Sequence, residues 1–250
     1  MTIYGYRLPT WLALVIWALV WEIVGQLHVV SLVPPLSAVF AAMSEVVLTQ
    51  SFADAMEITL KAFGIGMGLA LVVGISLGIA MGRIRVVGDV MGMWINIFES
   101  SPISAVVPLL LAVIGFGMPT MVTTVFLFSV WVVALDTQVG VRHASTSLVD
   151  MARSFGASRR DLYAKVIFWA ALPEILAGVR LAIIRGVRGL VVAQLLIAIV
   201  GVGYLFETYS RKFIMPEFWA TVLIVFGFAY GLSETVGVLE RRVARYASVR

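Results

Sequence analysis

The chain alternates long apolar runs with short polar connections, a pattern that predicts a bundle of membrane-spanning helices. A hydrocarbon core of about 30 Å needs about 20 consecutive, mostly apolar residues in a helix. The runs lack the strict alternation of apolar and polar residues that a transmembrane barrel requires. We therefore expect an all-α polytopic fold of about six transmembrane helices. The predicted spans cover residues 9–29, 57–82, 88–114, 119–140, 172–200 and 217–239.

Two segments between the apolar runs differ from ordinary connections. Residues 37–50 are too short and too polar to cross a bilayer, so we expect an amphipathic helix at the membrane surface. Residues 141–171 form a long polar loop. Residues 150–178, which begin inside this loop and extend past its end, have the pattern of a basic amphipathic helical segment. A protein that is otherwise buried in the membrane exposes such a segment when something in the cytoplasm contacts it.

Composition and charge agree with an integral membrane protein. Apolar residues make up 61% of the chain, charged residues 13%, and the mean hydropathy is +1.03, whereas a soluble domain is about 25% charged. Loops rich in Lys and Arg stay in the cytoplasm. Twelve of the 18 basic residues fall on one side of the predicted topology, which places both termini in the cytoplasm of a cell with an inner membrane. The first apolar run has no small-residue cleavage site, so we interpret it as a retained span.

The sequence argues against several kinds of chemistry. Cysteine is absent, and the two histidines, His28 and His143, flank different spans, so we expect no metal site. There is no Gly-Lys dipeptide and hence no Walker A phosphate loop, and no HExxH motif. We expect no catalytic residue and no bound cofactor in this chain. If transport is energised by ATP, another subunit hydrolyses it.

Polar residues inside the predicted spans are candidates for a translocation path, because a charge at the bilayer centre costs about 2.5–3.5 kcal/mol on insertion scales. Arg180 lies close enough to the cytoplasmic end to extend toward water. Arg185 and Arg188 share a helix face at greater depth and need an anion, which Glu99, Asp136 or a substrate would supply. Gln194 follows two turns later and is included in the candidate path.

The third predicted span contains the sequence ESSPISAVVP, which starts at Glu99 and includes Ser101, Pro102 and Ser104. Each proline removes a backbone donor and kinks the helix. The freed carbonyl groups need protein partners or water in a cavity. A broken helix that lines a path and a simple packing kink are both consistent with this pattern. In the second span, Gly74, Gly78 and Gly82 share one face, which favours close helix packing within the subunit over a dimer contact or a moving gate.

Over nearly its full length the chain resembles the permease subunits of ABC importers in the nitrate, sulfonate and taurine branch. The resemblance starts at VPPLSAVF (33–40) and includes SPISAVVPLL (101–110), IGFG (114–117), AGVRLAI (177–183) and GVGYL (201–205). Its most specific part is the loop SLVDMARSFGASRRDLYAKV (147–166), with an acidic-small-small triplet at 150–152, three residues, a glycine, and a later Leu-Pro pair.

The resemblance implies a type I importer permease fold with a cytoplasmic coupling-helix loop. It implies a homodimer, two cytoplasmic ATPase subunits docked on the loop helices, and an external solute-binding protein that delivers a small anion. Gly156 would let the chain turn tightly between two helices, and a side chain at that position would block the ATPase groove. The residues that the resemblance assigns to ATPase coupling are Asp150, Met151, Ala152, Phe155, Gly156, Ala157, Arg159, Arg160 and Leu162.

The sequence departs from the family at four places. The family's Glu-Ala-Ala is Asp150-Met151-Ala152 here, and its first Leu-Pro is Phe168-Trp169, which predicts a straighter junction into the fifth span. Arg188 and Gln194 stand where an apolar residue and a glutamate are expected. A diverged specificity or an unusual ATPase partner fits these changes. A stand-alone carrier or channel, which would need coupling carboxylates or inverted repeats, and a lipid-modifying membrane enzyme remain as alternatives.

Overall fold

A computed structural model describes residues 2–3, 6–7, 10–197 and 199–247, which are almost entirely helical. Two short strands, β1 (Thr2–Ile3) and β2 (Tyr6–Arg7), pair antiparallel ahead of the first helix. The helices within the described residues are α1 (Thr10–Gln26), α2 (Leu36–Val47), α3 (Gln50–Arg83), α4 (Arg85–Ser100), α5 (Val106–Ile114), α6 (Met118–His143), α7 (Thr146–Ser154), α8 (Arg159–Ile197), α9 (Val202–Arg211) and α10 (Met215–Ala247).

Four helices of the described part are long and apolar enough to cross a membrane, namely α3, α6, α8 and α10. They correspond to the predicted spans 57–82, 119–140, 172–200 and 217–239. The first predicted span, 9–29, is the 17-residue helix α1. Helix α2 occupies the segment that was predicted as a short amphipathic helix at 37–50. The predicted all-helical membrane architecture is confirmed, but two of the six predicted spans, 9–29 and 88–114, are not among the four long apolar helices of the described part.

The prediction of one continuous span over 88–114 is wrong. Helix α4 ends at Ser100, and Ser101 adopts an extended conformation because the ring of Pro102 clashes with a helical residue before it. A 3₁₀ turn, Ile103–Ala105, then leads into α5. Pro108 sits in the first turn of α5, where the missing amide hydrogen would have had no helical partner. The segment is therefore a broken helix and not a simple kink, and its role in lining a path stays a prediction.

The boundaries predicted for the fifth span are also wrong. The helix α8 begins at Arg159, thirteen residues before the predicted start, and runs to Ile197 with Pro173 inside it. Residues Leu162–Ile167 form π-helical turns just before the proline. Within the predicted helical segment 150–178, residues 155–158 separate α7 from α8 at the turn that the resemblance implies for Gly156.

The core consists of α3, α6 and α8 packed side by side. Glycines of α3 allow the close approach to α6, since a Cβ on Gly74 would lie 2.8 Å from Cβ of Val133, and one on Gly78 2.5 Å from Cβ of Thr137. A Cβ on Gly82 would meet the side chain of Val141 at 2.6 Å. The prediction that these glycines serve packing within the subunit is confirmed. The three helices thus form the rigid body that carries the polar residues described next.

The remaining helices attach around this core. Helix α2 packs against α10, where Val39, Ala42 and Ala220 are buried together. The Glu22 carboxylate accepts hydrogen bonds from the backbone amide and hydroxyl of Ser37, at 2.9 and 2.8 Å, and so connects α1 to α2. Arg180 of α8 forms ion pairs with Glu234 at 3.1 Å and Glu240 at 3.9 Å in α10. These contacts satisfy several of the charged groups that lie in or beside the spans.

Candidate functional site

The connection between α7 and α8 is a helical hairpin whose geometry follows from a few local residues. We call residues 146–161 the hairpin. Helix α7 ends in a Schellman motif, in which the amide of Gly156 donates to the carbonyl of Arg153 at 2.9 Å and the amide of Ala157 to that of Ala152 at 3.0 Å. Gly156 has φ +78°, the left-handed region that favours glycine. The predicted tight turn at Gly156 is present.

The next helix starts immediately after this turn. Ser158 is the N-cap of α8, and its hydroxyl accepts a hydrogen bond from the amide of Asp161 at 3.2 Å. The same hydroxyl donates to the Asp161 carboxylate at 2.5 Å, and that carboxylate pairs with Lys165 at 2.7 Å. The hairpin therefore ends one helix and begins another within four residues, which fixes the direction of α7 relative to α8.

One face of the hairpin is anchored to the spans. Ala152 of α7 and Leu162 of α8 are buried with Val141 of α6 and with Ile167 and Ala171 of α8 in one hydrophobic cluster. Ala157 packs against the same cluster. Ala152 and Leu162, two of the residues predicted for ATPase coupling, therefore face inward. Their contacts join α7 to α6 and α8.

The opposite face of the hairpin is exposed and partly apolar. The Phe155 side chain is 86% exposed and Met151 is half exposed, although both are large apolar residues. Asp150 pairs with Arg153 at 3.5 Å on the surface of α7, and Arg159 and Arg160 are also exposed. An isolated protomer gains nothing by presenting a phenylalanine to water, so this face is a candidate surface for contact with another protein.

A second cluster of predicted residues lies at membrane depth, where α4 meets α8. The Arg185 guanidinium of α8 forms an ion pair and hydrogen bonds with the Glu99 carboxylate in the last turn of α4. This is one of the pairings that the sequence predicted for Arg185. Ser101, Pro102 and Ser104 follow directly in the exposed break between α4 and α5. The other acid proposed for this pairing, Asp136 of α6, is half-buried against Gly178.

Arg188 lies one turn beyond Arg185 and is exposed on the outside of the protomer. Leu181 and Leu195, each seven residues away along α8, are exposed on the same face. Within the residues that the structure describes, Arg188 forms no ion pair or side-chain hydrogen bond. A charged side chain at this depth requires water, a partner chain or a solute.

Sequence reasoning missed a polar stripe on α4. Gly88, Gly92, Asn96 and Ser100 recur every four residues along this helix, and an open groove of about 820 Å³ runs beside them. The four-residue spacing was visible in the sequence but was hidden within a segment read as one apolar span. We call the stripe, together with the adjoining ion pair of Glu99 and Arg185, the polar face.

Gln194 does not belong to this polar face. Its side chain is 1% exposed, and its amide donates to the Thr59 hydroxyl at 2.7 Å and contacts the sulfur of Met121 at 3.6 Å. The Thr59 oxygen also accepts from the amide of Val202 at 3.1 Å. Thr59 of α3 therefore joins Gln194 of α8 to the start of α9, and Gln194 is a predicted path residue that the structure places in the interior.

Comparisons with known proteins bear on the family and the fold of the chain. The family described as binding-protein-dependent transport system inner membrane component matches residues 70–245. The taurine transport system permease protein TauC of Escherichia coli is 29% identical over 231 residues, which are 90% of this chain and 84% of that protein. A putative aliphatic sulfonates transport permease protein, SsuC of Bacillus subtilis, is 28% identical across 97% of this chain and 88% of its own.

A third relative and two solved structures extend the comparison. The nitrate import permease protein NrtB of Synechocystis is 26% identical over 66% of this chain and 61% of that protein. A crystal structure of an amino acid ABC transporter with histidines gives a TM-score of 0.63 at 19% identity, over 80% of this chain and 97% of the other. The methionine ABC transporter MetNI in an inward-facing conformation gives 0.54 at 17% identity, over 76% and 93%. At these identities the structures establish a shared fold.

Proposed function

Because the chain belongs to the family of binding-protein-dependent transport system inner membrane components and is a permease subunit of an ABC importer, we propose that it forms, with a second copy of itself, the path for a small anionic solute. The chain is a multi-pass membrane protein that works with an ATPase and a solute-binding protein, and it is not itself an enzyme. We further propose that it binds no cofactor and that ATP is bound and hydrolysed entirely by the partner subunit.

The exposed side of the hairpin is the proposed contact with the ATPase. Phe155 is the observation that carries this assignment, because a side chain that is 86% exposed and apolar gains most from a groove that removes it from water. Met151 lies one turn earlier, and Asp150 and Gly156 flank these two residues at the same surface. Ala152, Ala157 and Leu162 support the contact from beneath, through their packing on the spans.

Helix α8 is the proposed mechanical link between the ATPase contact and the path. Leu162, which packs in the hairpin's hydrophobic cluster, and Arg185, which binds Glu99, belong to the same helix. They lie about 35 Å apart along its axis at about 1.5 Å of rise per residue. Closure of the ATPase subunits would move α7, and the packed cluster would carry the displacement into α6 and α8 as a rigid-body motion that alternates access between the two sides.

The polar face is the proposed lining of the path. A groove beside Asn96 and Ser100, together with an unpaired Arg188, is costly against lipid and is stabilised when a second copy encloses water between the two faces. The groove is also lined by Asp89, which pairs with Arg85 at 4.0 Å, whereas Arg188 on the exposed face of α8 has no counter-ion among the described residues; an anionic solute is the cargo that complements Arg188. Three of the relatives are named for taurine, aliphatic sulfonates and nitrate. We propose a sulfonate, nitrate or similar small organic or inorganic anion.

The distribution of basic residues supports the proposed orientation. Arg83 and Arg85 at the α3–α4 turn, Arg159 and Arg160 in the hairpin, and Arg242 near the end of α10 carry positive charge at positions predicted for the cytoplasmic side. In this orientation the hairpin faces the ATPase, both termini are cytoplasmic, and the connections around α2 and α9 face the external binding protein.

Pull-down of the tagged chain from detergent-solubilised membranes, followed by an ATPase assay on the eluate, tests the proposal. We expect a stoichiometric ATPase subunit, a pair of permease copies by mass, and loss of the ATPase with Gly156→Arg while the two permease copies remain together. A folded preparation that elutes without an ATPase subunit and without ATPase activity would contradict the proposal and would favour a stand-alone carrier.

A further inference from the structure

A cavity of about 650 Å³ opens between the C-terminal end of α3 and the first turns of α8, next to the hairpin. Three arginines line it: Arg83 comes from the last turn of α3, and Arg159 and Arg160 come from the first turn of α8. The cavity thus gathers positive charge from two separate spans at one point of the surface. Arg159 and Arg160 also lie on the exposed side of the hairpin, but Phe155 and Met151 do not line the cavity, and neither does any residue of the polar face.

The charges in this cavity are not neutralised within the protomer. Among the described residues, no carboxylate forms an ion pair with Arg83, Arg159 or Arg160. The nearest acid in sequence, Asp161, is already bonded to Lys165 and Ser158. The Arg83 guanidinium lies 4.6 Å from the centre of the Tyr163 ring, an arrangement that holds the cation in place without cancelling its charge.

The rest of the lining is apolar. Ile79 lies one turn before Arg83 on α3, and Ala164 and Phe168 follow the arginines on α8. A free inorganic anion uses only the arginines and leaves this part of the cavity to water. An amphiphilic anion matches both parts, with its charged group on the guanidinium groups and its hydrocarbon along Ile79 and Phe168. Basic pockets between transmembrane helices bind acidic lipid headgroups in this way.

We propose that this cavity binds an anionic phospholipid of the cytoplasmic leaflet, with the phosphate between the three arginines and an acyl chain along the apolar wall. The inference rests on the proposed orientation, which places the end of α3 and the hairpin at the cytoplasmic surface. It assigns Arg159 and Arg160, which the sequence suggested for ATPase contact, to the lipid. A phosphate held by both α3 and α8 bridges the two helices at the base of the hairpin.

Native mass spectrometry of the purified permease–ATPase complex, titrated with phosphatidylglycerol or phosphatidylethanolamine, tests this assignment. We expect phosphatidylglycerol to remain bound where phosphatidylethanolamine dissociates. The double variant Arg83→Gln/Arg160→Gln should lower the phosphatidylglycerol affinity about thirtyfold, since each basic group near a membrane surface contributes about 1 kcal/mol. A variant with matched charge, Arg85→Gln/Arg242→Gln, alters two exposed arginines outside the cavity and should change the affinity by less than about threefold.

A second variant tests the apolar wall without changing any charge. Ala164→Trp fills the cavity where Ala164 is exposed, and we expect it to lower phosphatidylglycerol binding although all three arginines remain. Equal losses in the two double variants, or equal retention of the two lipids, would overturn the proposal in favour of diffuse surface attraction. Displacement of the lipid by millimolar inorganic phosphate would indicate a free-phosphate site instead.

The same spectra separate this inference from the proposed function. Loss of the ATPase subunit from Arg83→Gln/Arg160→Gln would mean that the arginines contact the ATPase, and it would overturn the lipid assignment. If the wild-type chain carries phosphatidylglycerol but no ATPase subunit, the lipid site stands and the proposed coupling fails. If the complex is intact and neither lipid is retained, the lipid site fails and the coupling stands.

Discussion

The hairpin and the polar face are built in opposite ways, although both are proposed functional surfaces. The hairpin is local: the bonds that shape it join residues no more than five positions apart, such as Ala157 to Ala152. The polar face is assembled by tertiary contact, since Glu99 and Arg185 are 86 residues apart. Exposure also means different things in the two places. An exposed Phe155 in water indicates a contact with a partner. At membrane depth an exposed leucine is stable against lipid, and only an exposed charge such as Arg188 indicates water, a partner chain or a solute.

The largest effect should come from the turn at the centre of the hairpin. Gly156→Arg should abolish uptake while the protein still inserts and remains folded. A Cβ at this position has open space around it among the described atoms. Within the protomer, the substitution is therefore destabilising only through the left-handed backbone conformation, which costs a non-glycine residue about 1–2 kcal/mol. That strain alone is too small to unfold the protein. The loss of uptake therefore depends on the bulk of the side chain against the ATPase.

A series at this position separates backbone strain from bulk. Gly156→Asn places a small residue that tolerates the left-handed region, and it should keep most of the uptake activity. Gly156→Ala adds strain with almost no bulk and should lower activity only severalfold. Uptake in proteoliposomes with co-reconstituted ATPase measures all three variants. Equal inactivity of the Asn, Ala and Arg variants would show that the turn, and not a docked partner, limits function.

The next largest effect should come from breaking the ion pair of the polar face. Arg185→Gln leaves the Glu99 carboxylate without its partner at membrane depth, and we expect the free energy of unfolding to fall by about 2–3 kcal/mol. This loss is below the range for fully buried pairs because a third of the Arg185 side chain is exposed. The double variant Glu99→Gln/Arg185→Gln removes both charges and should regain most of that stability. Thermal unfolding of the purified protein measures the difference. No recovery in the double variant would contradict the pairing.

The hairpin could be predicted from the sequence because its determinants are local. Gly156 ends one helix and Ser158 starts the next through bonds to residues within five positions, and both residue types have strong preferences for those roles. The orientation of Ala152 and Leu162 was not predicted, because it depends on packing against α6 and later turns of α8. The early start of α8 was missed because residues 159–171 were assigned to the polar loop, and only the structure shows Pro173 inside a continuous helix.

The polar face could be predicted only in part. The cost of an unpaired charge predicted that Arg185 needs an anion and limited the choice to Glu99, Asp136 or a substrate, and the structure shows that the partner is Glu99. The stripe through Gly92 and Asn96 was missed because average hydropathy over 88–114 hides a four-residue period. Gln194 was assigned to the path because it is polar. Its hydrogen bond to Thr59 could not be predicted from the sequence, because the sequence does not show that α3 and α8 meet at these residues.

A smaller effect should come from Phe155. Phe155→Ala removes the apolar group that the ATPase groove is proposed to cover, and we expect the affinity for the ATPase subunit to fall about tenfold, in the range of interface anchor residues. Leu48→Ala is the matched control, because Leu48 is also 86% exposed but lies far from the hairpin in the sequence. Titration of purified ATPase subunit onto the detergent-solubilised permease measures both variants. A similar small change in both would mean that Phe155 is not part of the contact.

The smallest effect should come from Arg188, and it bears most directly on the meaning of exposure at membrane depth. Arg188→Gln removes one transient contact to an anion, so the initial rate of uptake should fall about fivefold, which corresponds to about 1 kcal/mol, while thermal stability and ATPase association stay unchanged. Arg188→Lys keeps the charge and should retain more activity than Arg188→Gln. Leu181→Gln is the matched control on the same exposed face of α8. If Arg188→Gln leaves uptake unchanged but separates the two permease copies by mass, Arg188 binds the second copy and the anion path follows other residues. If Arg188→Gln slows uptake in the intact dimer, Arg188, which has no ion-pair partner within the described protomer, contacts the anionic solute.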